Sequence, residues 1–95
     1  MAAYLIADVE VRDAEAYEEY RQKVPAVIAA YGGRYLVRGG AFERLEGDGA
    51  MHRVVVLEFP HMARVRAFYE SADYQRLIPV RQKASRASLF AVDGV

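Results

Sequence analysis

The order of its apolar segments constrains the fold of this chain more than any other feature. Short β-rich segments lie at residues 3–11, 34–40, 52–59 and 85–94, and segments with helical spacing separate the first from the second and the third from the fourth. The order predicts an α+β fold of the βαββαβ type, with a four-stranded antiparallel sheet and the helices on one face. At 95 residues, the chain is predicted to form a single domain over residues 1–95.

The helical segments carry their own start and stop signals. Asp13 and Ser71 are good N-cap residues, and Gly32 or Gly33 supplies the left-handed residue that ends the first helix. Pro25 removes a backbone hydrogen bond, so we expect it to kink the first helix or split it in two. The second helical region is predicted to consist of two segments that meet near Ser71.

The composition excludes several classes of protein. Thirteen acidic and thirteen basic residues give a net charge of +0, so we predict no nucleic-acid surface and no polybasic membrane anchor. Asp8 and Glu10 break the apolar N-terminal run, which is predicted to be neither a signal peptide nor a membrane span. The chain has no cysteine, which excludes disulfides and thiol chemistry and favours a reducing, cytoplasmic location.

An uncovered apolar sheet face predicts a second copy of the chain. Strand alternation turns one set of residues toward the helices: Leu5, Ala7, Val9, Val55, Leu57 and Phe59. The opposite face then carries Tyr4, Ile6, Leu36, Val54, Val56, Phe90 and Val92. These side chains approach the roughly few hundred Å² at which an exposed apolar patch indicates a partner. The simplest cover is another sheet, so we expect a homodimer that pairs through the open sheet face.

Four charged residues are assigned to the same open face. They are Asp8, Arg34, Arg38 and Glu58. We expect the first and third strands to be parallel neighbours and the second strand to be antiparallel to the third. Asp8 and Glu58 should then lie near one end of the sheet, with Arg34 across from Glu58. The charges form either a salt-bridge set at the rim or part of a polar-lined pocket between sheet and helices.

The stretch YGGRYLVRGG, residues 31–40, carries a resemblance to a known family. With LEFP at 57–60 and AFYESADYQRL at 67–77, nearly the whole chain resembles a bacterial family of small uncharacterised proteins, domain of unknown function thirteen-thirty. That family is placed in the dimeric α+β barrel superfamily, whose members pair two ferredoxin-like sheets into a barrel. The resemblance implies the same fold and dimer here. In such a barrel, Gly39-Gly40 is expected to let the second strand bend or bulge.

The resemblance does not imply one activity. The superfamily includes cofactor-independent quinol monooxygenases, haem-degrading monooxygenases, muconolactone isomerase-like enzymes and amino-acid-sensing domains. By analogy with them, a ligand cleft is expected between the sheet and the helices.

Carboxylates, arginines and tyrosines supply the candidate site. Asp8 and Glu58 are candidate catalytic residues, because a half-buried carboxylate beside apolar groups can have a raised pKa and act as a base. Candidate ligand-binding residues offer a rigid guanidinium fork or a phenolic donor: Arg34, Arg38, Arg81, Tyr20, Tyr69 and Tyr74. The alternative is structural: the charges pair with one another, the tyrosines belong to the core, and Arg81 caps a helix end.

The two histidines do not predict a metal site. His52 and His61 lie in different elements and have no ligand spacing between them, so neither a metal nor a cofactor is predicted.

Two functions remain open from the sequence. The first is a dimeric small-molecule binder or cofactor-independent enzyme acting on a small organic acid that is aromatic or unsaturated. Its cleft would use Asp8, Arg38, Glu58, Tyr69 and Arg81. The second is a non-catalytic dimeric module for ligand sensing or interaction, in which the charged set is satisfied internally and no cavity remains.

Overall fold

A computed structural model describes all residues of the chain, 1–95. The elements are β1 (Ala3–Val11), α1 (Ala14–Ala30), β2 (Arg34–Arg38), β3 (Arg53–Phe59), α2 (Met62–Glu70), α3 (Ala72–Ala84) and β4 (Ser85–Asp93). This is the predicted βαββαβ order, with the second helical region divided into two helices. None of the helices combines the length and the apolar character that crossing a membrane requires.

The helix ends follow the sequence signals. The Asp13 carboxylate accepts a hydrogen bond from the backbone N–H of Ala16, and the Ser71 hydroxyl accepts one from Tyr74. Gly32 adopts φ +81°, the left-handed conformation that ends α1. Pro25 lies inside α1, which continues through it, so the predicted splitting of this helix does not occur.

The sheet is antiparallel throughout, in the order β2-β3-β1-β4. The expectation that the first and third strands are parallel is wrong, because β1 pairs antiparallel with β3. As a result Asp8 lies opposite Val54, whereas Glu58 lies opposite Tyr4. The two carboxylates are therefore at opposite ends of the sheet rather than at one end. Arg34 does lie across from Glu58, as predicted.

A bulge in β2 changes the face of one predicted residue. The pairing of β2 with β3 shifts between Tyr35 and Val37, so Val37 lies opposite Val56 and Arg38 lies opposite Val55. Each residue beyond the bulge is turned to the other face. Arg38 consequently lies on the helix side, and its assignment to the open face is wrong. The irregularity also precedes the Gly39-Gly40 pair where a bend was expected.

The core lies between the helices and one face of the sheet. The predicted helix-facing residues of β1 are buried, as are Leu57 and Phe59 of β3. They pack against apolar side chains of the three helices, among them Ile28, Phe68 and Leu77. The other face is uncovered in the single chain, where Phe90 is 58% and Val92 45% exposed. The predicted division into a covered and an open face is confirmed.

Gly33→Ala is expected to lower the free energy of unfolding by roughly 1–3 kcal/mol, the usual cost of overpacking a core. A Cβ at this position would lie 2.7 Å from the Phe59 ring and 2.8 Å from Ile28. Urea unfolding followed by circular dichroism measures the effect. Gly40→Ala is the matched control, since a Cβ there meets no atom within 4 Å and should change stability by less than about 0.5 kcal/mol. Equal unfolding midpoints for the two variants would contradict this packing.

Candidate functional site

A cavity lies between the covered sheet face and the helices. Its apolar wall combines side chains from both layers: Leu5, Ala7, Val9, Val24, Ile28, Val55, Leu57, Phe68 and Leu89. The empty volume is about 540 Å³ with the mouth included, and the centres of water molecules can occupy about 50 Å³. The enclosed part is therefore small, and most of the empty volume belongs to the mouth.

Four arginines line this otherwise apolar cavity: Arg21 of α1, Arg38 of β2, Arg53 of β3 and Arg81 of α3. Arg21 forms an ion pair with Glu18 on its own helix, 3.0 Å from Nε to Oε2. The other three form no ion pair with a carboxylate. The cavity therefore has an excess of positive charge. No aspartate, glutamate or histidine lines it.

Arg81 is the most unusual of these residues, because it is only 6% exposed. Its Nε is buried and has no hydrogen-bond partner, as is also true of the Nε of Arg53. A buried charge that lacks a partner costs several kcal/mol, and buried polar atoms are nearly always hydrogen-bonded. The cavity is thus lined by two arginines that each have a buried Nε without a hydrogen-bond partner.

Tyrosine hydroxyls supply the remaining polar groups. The hydroxyls of Tyr20 and Tyr74 are hydrogen-bonded to each other at 2.9 Å, and Tyr17 and Tyr35 also line the cavity. Burial raises the pKa of all four phenols, while the positive charges of Arg53 and Arg81 oppose this at Tyr17. The phenols therefore remain protonated at neutral pH and act as hydrogen-bond donors.

The bulge and the glycine after it position two of the arginines. The bulge turns Arg38 inward, and its guanidinium carbon lies 4.5 Å from the centroid of the Tyr35 ring, a cation–π contact. Gly39 has φ +70°, and any side chain at this position would overlap the Arg53 guanidinium. The absence of a side chain at Gly39 thus makes room for the Arg53 guanidinium. In the Gly39-Gly40 pair, Gly39 therefore has a role in the site.

The structure brings together four of the predicted ligand-binding residues. Tyr20, Tyr74, Arg38 and Arg81 all line the cavity. Tyr69 does not line it: its ring stacks at 5.5 Å on the outer side of Tyr74, and the residue is exposed.

Arg34 lies away from the cavity, on the open face. It bonds to Glu58 at 2.6 Å, an exposed salt bridge.

The two candidate catalytic carboxylates also lie on the open face, outside the cavity. Glu58 accepts hydrogen bonds from Arg34 and from the hydroxyl of Tyr4. Asp8 accepts one from the backbone N–H of His52 at 2.8 Å, which holds the pKa of this carboxyl below its usual value. The expectation that Asp8 and Glu58 share one cleft with Arg38 and Arg81 is therefore wrong.

Sequence reasoning missed four polar residues that the structure places around the cavity: Tyr17, Arg21, Tyr35 and Arg53. Arg53 has the same strand parity as Val55 and Leu57, so alternation alone assigns it to the helix side. Arg21 follows Tyr17 by four residues and shares its helix face. These signals were present, but arginines at the start of a strand, such as Arg53, or within an amphipathic helix, such as Arg21, are usually solvated, so the two residues were not selected.

Comparison with known proteins shows the family of the chain. A family model described as a domain of unknown function, DUF1330, matches residues 2–95. The chain belongs to this family. The predicted family is thereby confirmed, while a comparison with the curated proteins finds no match.

Solved structures share the fold at low identity. A protein of unknown function from Rhodopseudomonas palustris is 21% identical, with a TM-score of 0.79 over 99% of this chain and 82% of its own. A dimeric ferredoxin-like protein of unknown function from Jannaschia sp. CCS1 is 13% identical, with a TM-score of 0.66 over 99% of this chain and 100% of its own. SnoaB, a cofactor-independent oxygenase from Streptomyces nogalater, is 11% identical, with a TM-score of 0.67 over 99% of this chain and 93% of its own. This DUF1330 chain thus has a ferredoxin-like fold.

Tyr20→Phe and Tyr74→Phe are each expected to lower the free energy of unfolding by about 1–3 kcal/mol, because each leaves the other buried hydroxyl without its partner. The double variant should cost less than the sum of the two, since it removes both polar groups. Denaturant unfolding of the four proteins in the cycle measures the coupling. Tyr69→Phe, at an exposed ring, is the control with little expected effect. If the loss of the double variant equals the sum of the losses of the two single variants, the two hydroxyls are not an isolated hydrogen-bonded pair.

Proposed function

We propose that this protein is a homodimeric small-molecule-binding protein whose cavity takes a small organic acid with an aromatic or unsaturated body. The observation that carries the proposal is the buried guanidinium of Arg81, which faces an apolar cavity without a carboxylate partner. The acid group of the ligand would supply the missing negative charge. Its body would contact the apolar wall.

The lining residues support a carboxylate more than a neutral ligand. A guanidinium offers planar paired donors that match the two oxygens of a carboxylate. The phenol hydroxyl of Tyr17 and one of the two hydroxyls of the Tyr20–Tyr74 pair add neutral donors on the same cavity. Charge-assisted hydrogen bonds of this kind contribute roughly 1.5–3 kcal/mol each, more than twice the contribution of a typical neutral bond.

Binding of an acid is compatible with two different functions. In the first, a cofactor-independent enzyme converts the acid; in the second, the protein senses or carries it without conversion. The residues that line the cavity favour the second, because they supply donors and positive charge but no carboxylate or imidazole that would accept a proton. Incubation of the protein with a bound acid in air, followed by chromatography and oxygen uptake, separates the two candidates.

The homodimer forms the other half of the proposal. The open face presents Val37, Val56, Phe90 and Val92 beside partly exposed Ile6, and Phe90 is more than half exposed. An apolar surface of this extent on a small domain supports coverage by an identical sheet. The similar protein from Jannaschia sp. CCS1 is itself described as dimeric. The paired charges Arg34 and Glu58 would then lie at the rim of the interface.

Arg81→Met is expected to abolish acid binding and to leave the empty protein as stable or more stable. Replacement of a buried, uncompensated ion by an apolar side chain of similar length is often neutral or stabilising by about 1–4 kcal/mol. Thermal unfolding with increasing benzoate is the measurement, since a ligand of the native state raises the melting temperature. The wild type should show a benzoate-dependent rise and the variant none.

Arg76→Gln is the matched control, because it removes an exposed arginine from the same helix. It should retain the benzoate response of the wild type. If the wild type does not respond to benzoate or related aromatic acids, or if Arg81→Met responds equally, the proposed site is wrong.

Phe90→Glu combined with Val56→Lys is expected to convert the homodimer into a folded monomer. Both side chains are at least partly exposed in the single chain, so the substitutions should spare the core. Size-exclusion chromatography with light scattering at micromolar concentration should give twice the chain mass of 10.7 kDa for the wild type and the chain mass for the variant. Ala67→Glu, an exposed position on α2, is the control that should remain dimeric. A monomeric wild type would refute the dimer.

A further inference from the structure

We propose that the ligand of this cavity carries two acid groups, one bound by Arg81 in the interior and the other by Arg38 and Arg53 at the mouth. The class is a small dicarboxylic acid with an apolar centre. This inference rests on the proposed function, since it assumes that the cavity binds an organic acid. The new element is that a ligand with only one acid group would leave part of the positive charge of the cavity uncompensated.

The mouth of the cavity is the first observation. Arg21, Arg38 and Arg53 line both the cavity and a groove that opens from it onto the surface. Gln22 and Pro25 complete this groove, which contains no apolar side chain apart from the proline ring. The interior is apolar with one buried arginine, whereas the mouth is a polar funnel of three arginines. A ligand that matches both regions has a polar group at each end.

The count of uncompensated charges is the second observation. Arg38, Arg53 and Arg81 form no ion pair with a carboxylate, and Arg21 is already paired with Glu18. One carboxylate at Arg81 would leave two guanidinium groups at the mouth without an anion. Like charges around one cavity repel each other and are costly where they are desolvated. A second acid group at Arg38 and Arg53 would reduce this excess.

The elements that carry the arginines separate the two acid positions. Arg38 and Arg53 lie on β2 and β3, toward one edge of the sheet. Arg81 lies on α3 and also lines a small pocket with Ala87 of β4, the strand at the opposite edge. The apolar residues of the central strand β1 line the wall between them. Arg53 and Arg81 line the same cavity, whose size limits the distance between the two acid groups. Two acid groups on one ring or on a short unsaturated chain would suit such a span.

Isothermal titration of the full-length protein with a matched ligand series tests the inference. The probes are benzoate, the three positional isomers of benzenedicarboxylate, and the monomethyl ester of the 1,3-isomer, which keeps the size of that diacid but only one charge. We expect at least one diacid to bind about tenfold or more tightly than both the monoester and benzoate, the ratio that one charge-assisted hydrogen bond supplies.

Arg38→Gln should remove most of this preference, because it should weaken diacid binding about tenfold more than benzoate binding. Arg38 is exposed, which makes the variant compatible with folding. Arg76→Gln should keep the wild-type preference.

The outcomes separate this inference from the proposed function. Benzoate binding without any preference for a diacid would overturn the two-acid ligand and leave the acid-binding cavity intact. A diacid preference that persists unchanged in Arg38→Gln would overturn the assignment of the second acid group to the mouth. Failure of every acid in the series to bind would overturn both proposals.

Discussion

A single sheet with two apolar faces and helices on only one of them is the constraint on which this structure depends. The covered face receives three helices and encloses the core, while the open face retains exposed Phe90 and Val92. A domain of 95 residues can bury only about 60–65% of its unfolded surface, and its three helices all lie on the covered face. The open face is the surface on which the proposed homodimer depends, and the cavity proposed as the ligand site lies on the covered side.

The second constraint is a one-residue irregularity in an edge strand. Without the bulge between Tyr35 and Val37, simple alternation would place Arg38 on the same face as Arg34, far from the cavity. With it, two arginines four residues apart serve different purposes. Arg34 closes a salt bridge with Glu58 at the rim, and Arg38 packs on Tyr35 at the mouth of the cavity. Gly39 then gives Arg53 the room it needs beside them.

The sequence predicted the element order, both helix caps and the two faces of the sheet, because these follow from local periodicity and from side chains that bond to nearby backbone. It did not predict the bulge, since nothing in RYLVR distinguishes an irregular strand from a regular one. The positions of Asp8 and Glu58 failed for a different reason: they depended on strand direction, and one wrong direction moved a carboxylate to the other end of the sheet. Arg53 was predictable from parity, but its place on the cavity depends on the tertiary position of α1, which brings Tyr17 and Arg21 to the same lining.

The burial of Arg81 costs the folded protein more free energy than its helix position returns, so a contribution to stability does not explain why an arginine lies there. Arg81 lies in the last turn of α3, where the negative end of the helix dipole favours a cation by about 0.3–1 kcal/mol, and by up to about 2 kcal/mol when partly buried. The desolvation of an ion in a protein interior costs several kcal/mol, which the helix end does not offset. The neighbouring tyrosines donate hydrogen bonds and bring no negative charge, because burial raises the pKa of their phenols. The acid group of the proposed ligand would supply the negative charge that the lining lacks, and the apolar cavity that Arg81 lines is the space proposed for it.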